Sequence, residues 1–176
     1  MSIRPAGPAD AHAIAALHTH SWQLAYRGIL RDDFLDGPLL ENRRALWRER
    51  LTCAAQAGRL VLIDEHTVGI SAFACAFVNA DPQWGTLLDN LHVSPKVKGQ
   101  GLGRQLMREV AAWTLKEACP RLHLWAYEQN LAARRFYERL GGVVTLRHTE
   151  PAPDGAQVNA VRYCWSDLSG LIDKRI

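Results

Sequence analysis

The sequence predicts an α/β fold of the α+β type, built as a single domain over residues 1–176. Three observations lead there. Segments with strand-like and helix-like hydrophobic spacing are interleaved along the chain. Their order, βααβββαβαββ, lacks the clean alternation of a doubly wound sheet. One strand also runs through a glycine-rich loop directly into a helix, over 91–104. A length of 176 residues suits one domain and can bury a core without disulfides or metals.

Ser2 to Ala6 reads as a short strand. Gly7-Pro8-Ala9-Asp10 opens a helix, with glycine at the N-cap, proline at the first position and Asp10 in the first turn. Ile14, Leu17, Ser21 and Leu24 mark one face of it to about Tyr26. A second helical region runs from Asp32 to about Cys53, broken at Gly37-Pro38. Arg59–Asp64 and Thr67–Val78 read as strands around a turn at Glu65-His66, the second apolar on both faces like a central strand. Thr86–Val93 is a further strand and Gly101–Ala118 a helix, with Leu102, Leu106, Val110 and Trp113 at helical spacing and Pro120 as its stop. Leu122–Tyr127 is a strand, and Leu131–Leu140 a helix closed by Gly141-Gly142. Val143–His148 and Asn159–Trp165 complete the set, with a hairpin loop over Glu150–Gly155.

Composition narrows the function classes. The longest apolar run, Ile70–Val78, is about half the roughly 20 residues of a membrane helix. The N-terminus shows no apolar h-region, so a secretory signal and a membrane role are not expected. Cys53, Cys75, Cys119 and Cys164 are scattered without a C-x-x-C pair, which argues against a metal site or a disulfide framework and fits a cytoplasmic protein. Cys75 reads as a small core hydrophobe. A formal charge of +3 is too small to argue for nucleic acid unless clustered.

The segment from Leu91 to Arg104 carries the most chemistry. Glycines let backbone turn tightly and approach a ligand, and the first N–H groups of the following helix have no internal partner. A phosphate or pyrophosphate is the natural ligand of such a turn. The G-x-x-x-x-G-K-[ST] pattern of nucleotide triphosphatases is absent, and the third glycine of a dinucleotide fingerprint is replaced by Arg104. The spacing present is basic-x-x-G-x-G, from Lys98 through Gly101 to Gly103.

This segment resembles the acetyl-CoA-binding motif of the GCN5-related N-acetyltransferases (GNAT), with Lys98 where Arg or Gln is usual. A second stretch, Asn130 through Ala133 and Phe136-Tyr137 to Gly141, resembles the family's N-x-x-A-x-x-F-Y-x-x-x-G signature. The resemblance implies the GNAT fold, a central mixed, mostly antiparallel sheet flanked by helices, with a strand bulge and the glycine loop at the acyl-CoA cleft. It implies acetyl-CoA as acyl donor, no metal, and frequent dimerisation. Lys98, Gly99, Gln100, Gly101, Leu102, Gly103 and Arg104 would hold the pyrophosphate. The backbone of Leu91, His92 and Val93 would meet pantetheine, and Asn130 and Ala133 would flank it. Tyr137 would protonate the leaving thiolate. Ala133, Phe136 and Leu140 share a helical face read as core, and Tyr137 need not be core because its hydroxyl can reach a polar cleft.

Acetyl transfer needs a neutral amine, and neutralising one of pKa ~10.4 at pH 7 costs roughly 4–5 kcal/mol. A base or a depressing pocket is therefore required. Many relatives carry Glu at the position of Leu87. Asp89 is the nearest carboxylate and His92 the nearest imidazole, on the opposite face by strand alternation unless a bulge intervenes. His18, Trp22 and Tyr26 share one side of the first helix, either packing over the sheet or walling an amine site. Glu128, Asp32, Asp33 and Asp36 are weaker candidates for meeting a basic acceptor, because carboxylates at helix starts usually cap them. The function expected is acetyl transfer from acetyl-CoA to a small-molecule amine by direct attack in a ternary complex. A protein or peptide acetyltransferase and an idle acyl-CoA sensor are the alternatives. The basic surplus fits a nucleotide cofactor, because Lys96, Lys98, Arg104 and Arg108 cluster at the loop with no acidic residue between Asn90 and Arg108.

Overall fold

A computed structural model describes residues 2–52, 58–66 and 69–172, with the His66 side chain excepted. The strands are β1 Ser2–Pro5, β2 Arg59–His66, β3 Gly69–Asp81, β4 Gly85–Val93, β5 Leu122–Tyr127, β6 Val143–Pro151 and β7 Gln157–Trp165. The helices are α1 Ala11–Ala25, α2 Asp32–Asp36, α3 Leu39–Thr52, α4 Leu102–Lys116, α5 Leu131–Arg139 and α6 Ser169–Ile172. Among the described residues the strands form one sheet in the order β1-β2-β3-β4-β5-β7-β6. Every neighbouring pair is antiparallel except β4 and β5.

Local chemistry explains the element ends. Asp10 accepts the Gly7 N–H at 2.8 Å, closing a 3-10 turn over Pro8–Asp10 that leads into α1. A side chain at Gly37 would put its Cβ 2.5 Å from the Asp33 carbonyl, so glycine and the following proline together separate α2 from α3. Helix α4 stops at Lys116, before Pro120 can act, because Ala118 turns left-handed at φ 55°.

Several boundaries differ from the sequence reading. Glu65 and His66, expected as a turn, instead continue β2, pairing with Ile70 and Gly69 after a register shift at Asp64; residues 67–68 lie outside the described residues. Cys53, the expected end of the second helical region, is also outside them. Strands β6 and β7 pair as far as Pro151 and Gln157, which shortens their loop to 152–156, closed by an Ala152 N–H to Ala156 carbonyl bond of 2.7 Å. Helix α6 had no expectation.

The sheet separates two packed layers. On one side Leu102, Leu106, Met107 and Val110 of α4 pack with Tyr137 of α5 on Ala74, Leu124 and Tyr163. On the other, Ile14 and Leu17 of α1 meet Trp47 and Leu51 of α3 over Ile63, Phe73 and Cys75. Cys75 is fully buried, and burial pushes its thiol pKa up to about 12, consistent with an inert core residue. Ala133, Phe136 and Leu140 pack against the core as expected, and Tyr137 joins it more deeply than they do. Tyr137 is only 9% exposed, whereas Ala133, Phe136 and Leu140 are partly buried. The four share one stripe, and all of them line the cleft as well.

Candidate active site

The site follows from how β4 meets its neighbours. On the β3 side, Leu88 pairs with Ala76 and Asn90 with Cys75, so Asp89 is the extra residue of a bulge. On the β5 side, only Thr86 and Leu87 pair, with Leu122 and His123. Beyond those pairs β4 and β5 part, opening a cleft of about 900 Å³ between 88–93 and 125–126. The bulge expected from the resemblance therefore exists and sits at Asp89. Leu87 occupies the last paired position.

The glycine loop forms one wall. Gly99 and Gly101 both adopt φ 83°, a left-handed conformation that glycine takes at little cost. Gly101 is the N-cap of α4, and the first helical bond runs from Gln105 N–H to the Gly101 carbonyl at 3.0 Å. The N–H groups of Leu102, Gly103 and Arg104 precede it and are left for a ligand. Gly103 serves packing: an added Cβ would lie 3.1 Å from the Phe136 ring and 3.7 Å from Val93 Cγ2. Lys98 and Arg104 line the cleft, and so does Arg139, which the sequence reading did not single out. Gln100 is not among the lining residues; Leu91, His92 and Val93 are. A loop of free N–H groups beside three cations fits a pyrophosphate-bearing ligand.

Helix α5 supplies the opposite wall through Ala133, Phe136, Tyr137 and Leu140. The Asn130 Oδ1 accepts the Ala133 N–H at 3.2 Å, so this lining residue also caps the helix. Tyr137 packs against Tyr163 and Trp165, with ring centroids 5.9 and 6.2 Å away. The Tyr163 hydroxyl donates to Glu138 at 2.7 Å and accepts from Arg134 Nε at 3.1 Å, which anchors α5 to β7. Burial raises the Tyr137 pKa above the ordinary tyrosine value, so its proton stays in place at neutral pH.

Across the sheet, the acceptor end of the cleft is built by α1 and α3. Asp89 forms an ion pair with Arg50 at 2.6 Å through Oδ2, and Arg50 also donates to Asn90 Oδ1 at 2.7 Å. His92 is desolvated and faces the charges of Arg43 and Lys98, which hold its pKa down to about 3. Its ring lies 4.7 Å from that of His18. His18 is fully buried and neutral, and its Nδ1 accepts the Trp47 indole N–H at 3.0 Å. Trp22 and Tyr26 line the cleft, 5.0 Å apart in an edge arrangement, and Tyr26 meets Tyr127 at 4.9 Å. Burial raises the Tyr26 hydroxyl pKa and pushes that of Tyr127 up to about 12. His18 lies behind this wall and is not among the lining residues.

The remaining acidic candidates are committed elsewhere. Asp32 and Asp36 pair with Arg27, Asp33 with Arg31, and Glu128 with Arg147. Arg43 and Arg50 were missed, although Arg43, Trp47 and Arg50 stand at helical spacing and so share one face of α3. Among the described residues, no group of three or more His, Cys, Asp or Glu could hold a metal ion, and no helix is long and apolar enough to cross a membrane.

This arrangement, a bulged strand parting from its parallel neighbour beside a glycine-capped helix, defines an acyl-CoA-binding class of transferase fold. The chain belongs to the acetyltransferase (GNAT) family, whose family model matches residues 18–142. The acyl donor of that family is acetyl-CoA, and the chain is an acyltransferase of this kind. YuaI of Bacillus subtilis, an uncharacterized N-acetyltransferase, is 25% identical over 173 residues, 97% of this chain and 96% of that protein. Among solved structures, the PaiA N-acetyltransferase of Thermoplasma acidophilum, in complex with coenzyme A, superposes with a TM-score of 0.70 at 17% identity, over 90% of this chain and 96% of that one. YncA of Salmonella typhimurium, solved with its cofactor acetyl-CoA, gives a TM-score of 0.67 at 23% identity, over 94% and 92%.

Proposed function

We propose that this chain transfers the acetyl group of acetyl-CoA to the primary amine of a small molecule, by direct attack within a ternary complex. The observation that carries the reading is the cleft itself. It joins a phosphate-binding loop, a protonated buried tyrosine and an aromatic, partly enclosed acceptor end. Acetyl-CoA supplies an activated thioester when bound, and all other roles fall to this chain.

Lys98, Arg104 and the free N–H groups at the start of α4 would neutralise the pyrophosphate. Leu91, His92 and Val93 would offer strand edges to the pantetheine arm, with Asn130 and Ala133 opposite. Backbone N–H groups beyond the bulge would polarise the acyl carbonyl. Tyr137 would deliver its proton to the leaving sulfur, a role supported by its position on the cleft and its raised pKa.

Asp89 is the proposed base. It is the only carboxylate among the described cleft-lining residues, and Arg50 engages it through Oδ2. His92 is the alternative base, an imidazole kept neutral by burial and by the charges of Arg43 and Lys98. Trp22 and Tyr26, with His18 behind them, would wall the amine.

A cytoplasmic, single-domain homodimer completes the reading. The free cysteines Cys75, Cys119 and Cys164 support a reducing compartment. Edge strand β6, with Val143 64% exposed, supports a dimer contact.

The test is thiol release from acetyl-CoA against amines, antibiotics, polyamines and peptides. Turnover of a small amine above peptides is expected. Binding of CoA without thiol release from any acceptor would replace the enzyme reading by a sensor.

A further inference from the structure

Two hydrogen-bond donors on the wall of the acceptor end, from Ser21 and Trp22, have no partner among the described residues, and two more, from His18 and Arg43, lie behind that wall. The Trp22 indole Nε1 and the Ser21 hydroxyl belong to cleft-lining residues that are each 9% exposed, and both polar atoms are buried with no partner among the described residues. His18 Nε2, one turn earlier on the same face, is buried and likewise unpartnered. Its tautomer is fixed by Trp47. An indole N–H can only donate, so Nδ1 of His18 accepts and the ring proton is on Nε2.

The fourth donor is Arg43. Its guanidinium lies over the Trp22 ring, 4.5 Å from the centroid. One edge, Nε and Nη2, donates to Asn42 Oδ1, and the Nη1 protons have no partner among the described residues. Among the described residues no carboxylate faces it in an ion pair. The nearby Asp89 is taken by Arg50, which leaves one positive charge in surplus at this corner.

Buried donors without acceptors are costly, and a half-buried cation is more so. The set is complementary to an oxyanion and hostile to a second ammonium. Resting on the acetyltransferase reading above, we propose that the acceptor is an amino acid. Its carboxylate sits on Arg43, Trp22 Nε1 and Ser21 Oγ, while its amine faces Asp89. The aromatic wall then binds the stem of the acceptor and does not act as a cage for a polycation.

The experiment compares the twenty standard amino acids with their carboxamides and decarboxylated amines, by thiol release from acetyl-CoA and by thermal shift of the CoA-loaded protein. At least one free amino acid should turn over and stabilise the complex. Its amide and its decarboxylated amine should lose at least about 30-fold in kcat/KM. Arg43→Gln should raise the amino-acid KM by about 30-fold, leave kcat and the acetyl-CoA KM within a few-fold, and close most of the acid-to-amide gap. Arg43→Lys should restore part of it, and Ser21→Ala should raise KM several-fold. The inference is overturned if amides, decarboxylated amines or polyamines match or exceed the acids, if Arg43→Gln leaves the gap unchanged, or if no free amino acid both turns over and stabilises. Acetylation of amines that lack a carboxylate as fast as, or faster than, the acids would overturn this inference alone. Failure to bind CoA, or silence with every amine, would remove the acetyltransferase reading as well.

Discussion

Lowering the pH from 7.0 to 5.5 should destabilise the fold through its buried imidazoles. His18 and His92 are neutral in the folded protein, held down first by burial and then by neighbouring positive charge. In the unfolded chain each titrates near 6.5. Between 6.5 and about 3, the folded value for His92, the unfolded state therefore binds more protons, and stability falls as pH falls. Integrating the linkage from pH 7.0 to 5.5 gives about 1.3 kcal/mol for His92, and His18 adds in the same direction. His123, also lowered by burial, adds in the same direction. The depressed carboxylates, Asp10, Asp33 and Asp36 among them, lose their contribution at lower pH, near and below about 4, so the window is separable. Urea unfolding at fixed ionic strength measures the effect directly. The fall should shrink by about 1.3 kcal/mol in His92→Phe, because that variant has one fewer group to titrate. Equal stability at the two pH values, or an undiminished fall in His92→Phe, would refute the assignment of neutral buried histidines.

Other outcomes are open to the same kind of check. Gly103→Ala places a methyl 3.1 Å from the Phe136 ring, so α4 and α5 must part or the ring must shift; a loss of about 1–3 kcal/mol by denaturation and a raised acetyl-CoA KM are expected. Asn130→Ala removes the α5 N-cap and should cost about 1 kcal/mol, with a weaker effect in Asn130→Asp, which keeps the acceptor oxygen. Asp89→Asn should abolish the acidic limb of the kcat/KM profile, and an unchanged profile would remove Asp89 as base. Because burial raises the Tyr137 pKa, kcat should hold through pH 9 to 10, with no decline at the ordinary tyrosine value.

The parts of the site that were legible in the sequence are contiguous in it. The loop from Lys98 to Arg104 states its own geometry, since glycines at Gly99 and Gly101 permit the left-handed turn that frees the helix N-terminus. The Asn130 to Gly141 stretch does the same for α5. The helix break at Gly37-Pro38 and the helix end at Gly141-Gly142 were equally local. What stayed hidden depends on distant partners. The bulge falls at Asp89 because β3 sets the register, and the Arg50 that occupies that carboxylate comes from a helix 39 positions earlier. The close approach of α4 to Phe136 at Gly103 likewise joins two distant segments. Arg43 carried a signal, its helical spacing with Trp47, but nothing local said that it would lie over Trp22.

The most direct test of catalysis at this cleft is a Tyr137→Phe variant, assayed for thiol release from acetyl-CoA alongside its CoA affinity. The substitution removes one hydroxyl and keeps the ring that packs on Tyr163 and Trp165. Loss of a catalytic proton donor should lower kcat by about 10²-fold or more, with CoA affinity unchanged within a few-fold. Undiminished turnover in Tyr137→Phe would contradict the assignment of Tyr137 as the acid.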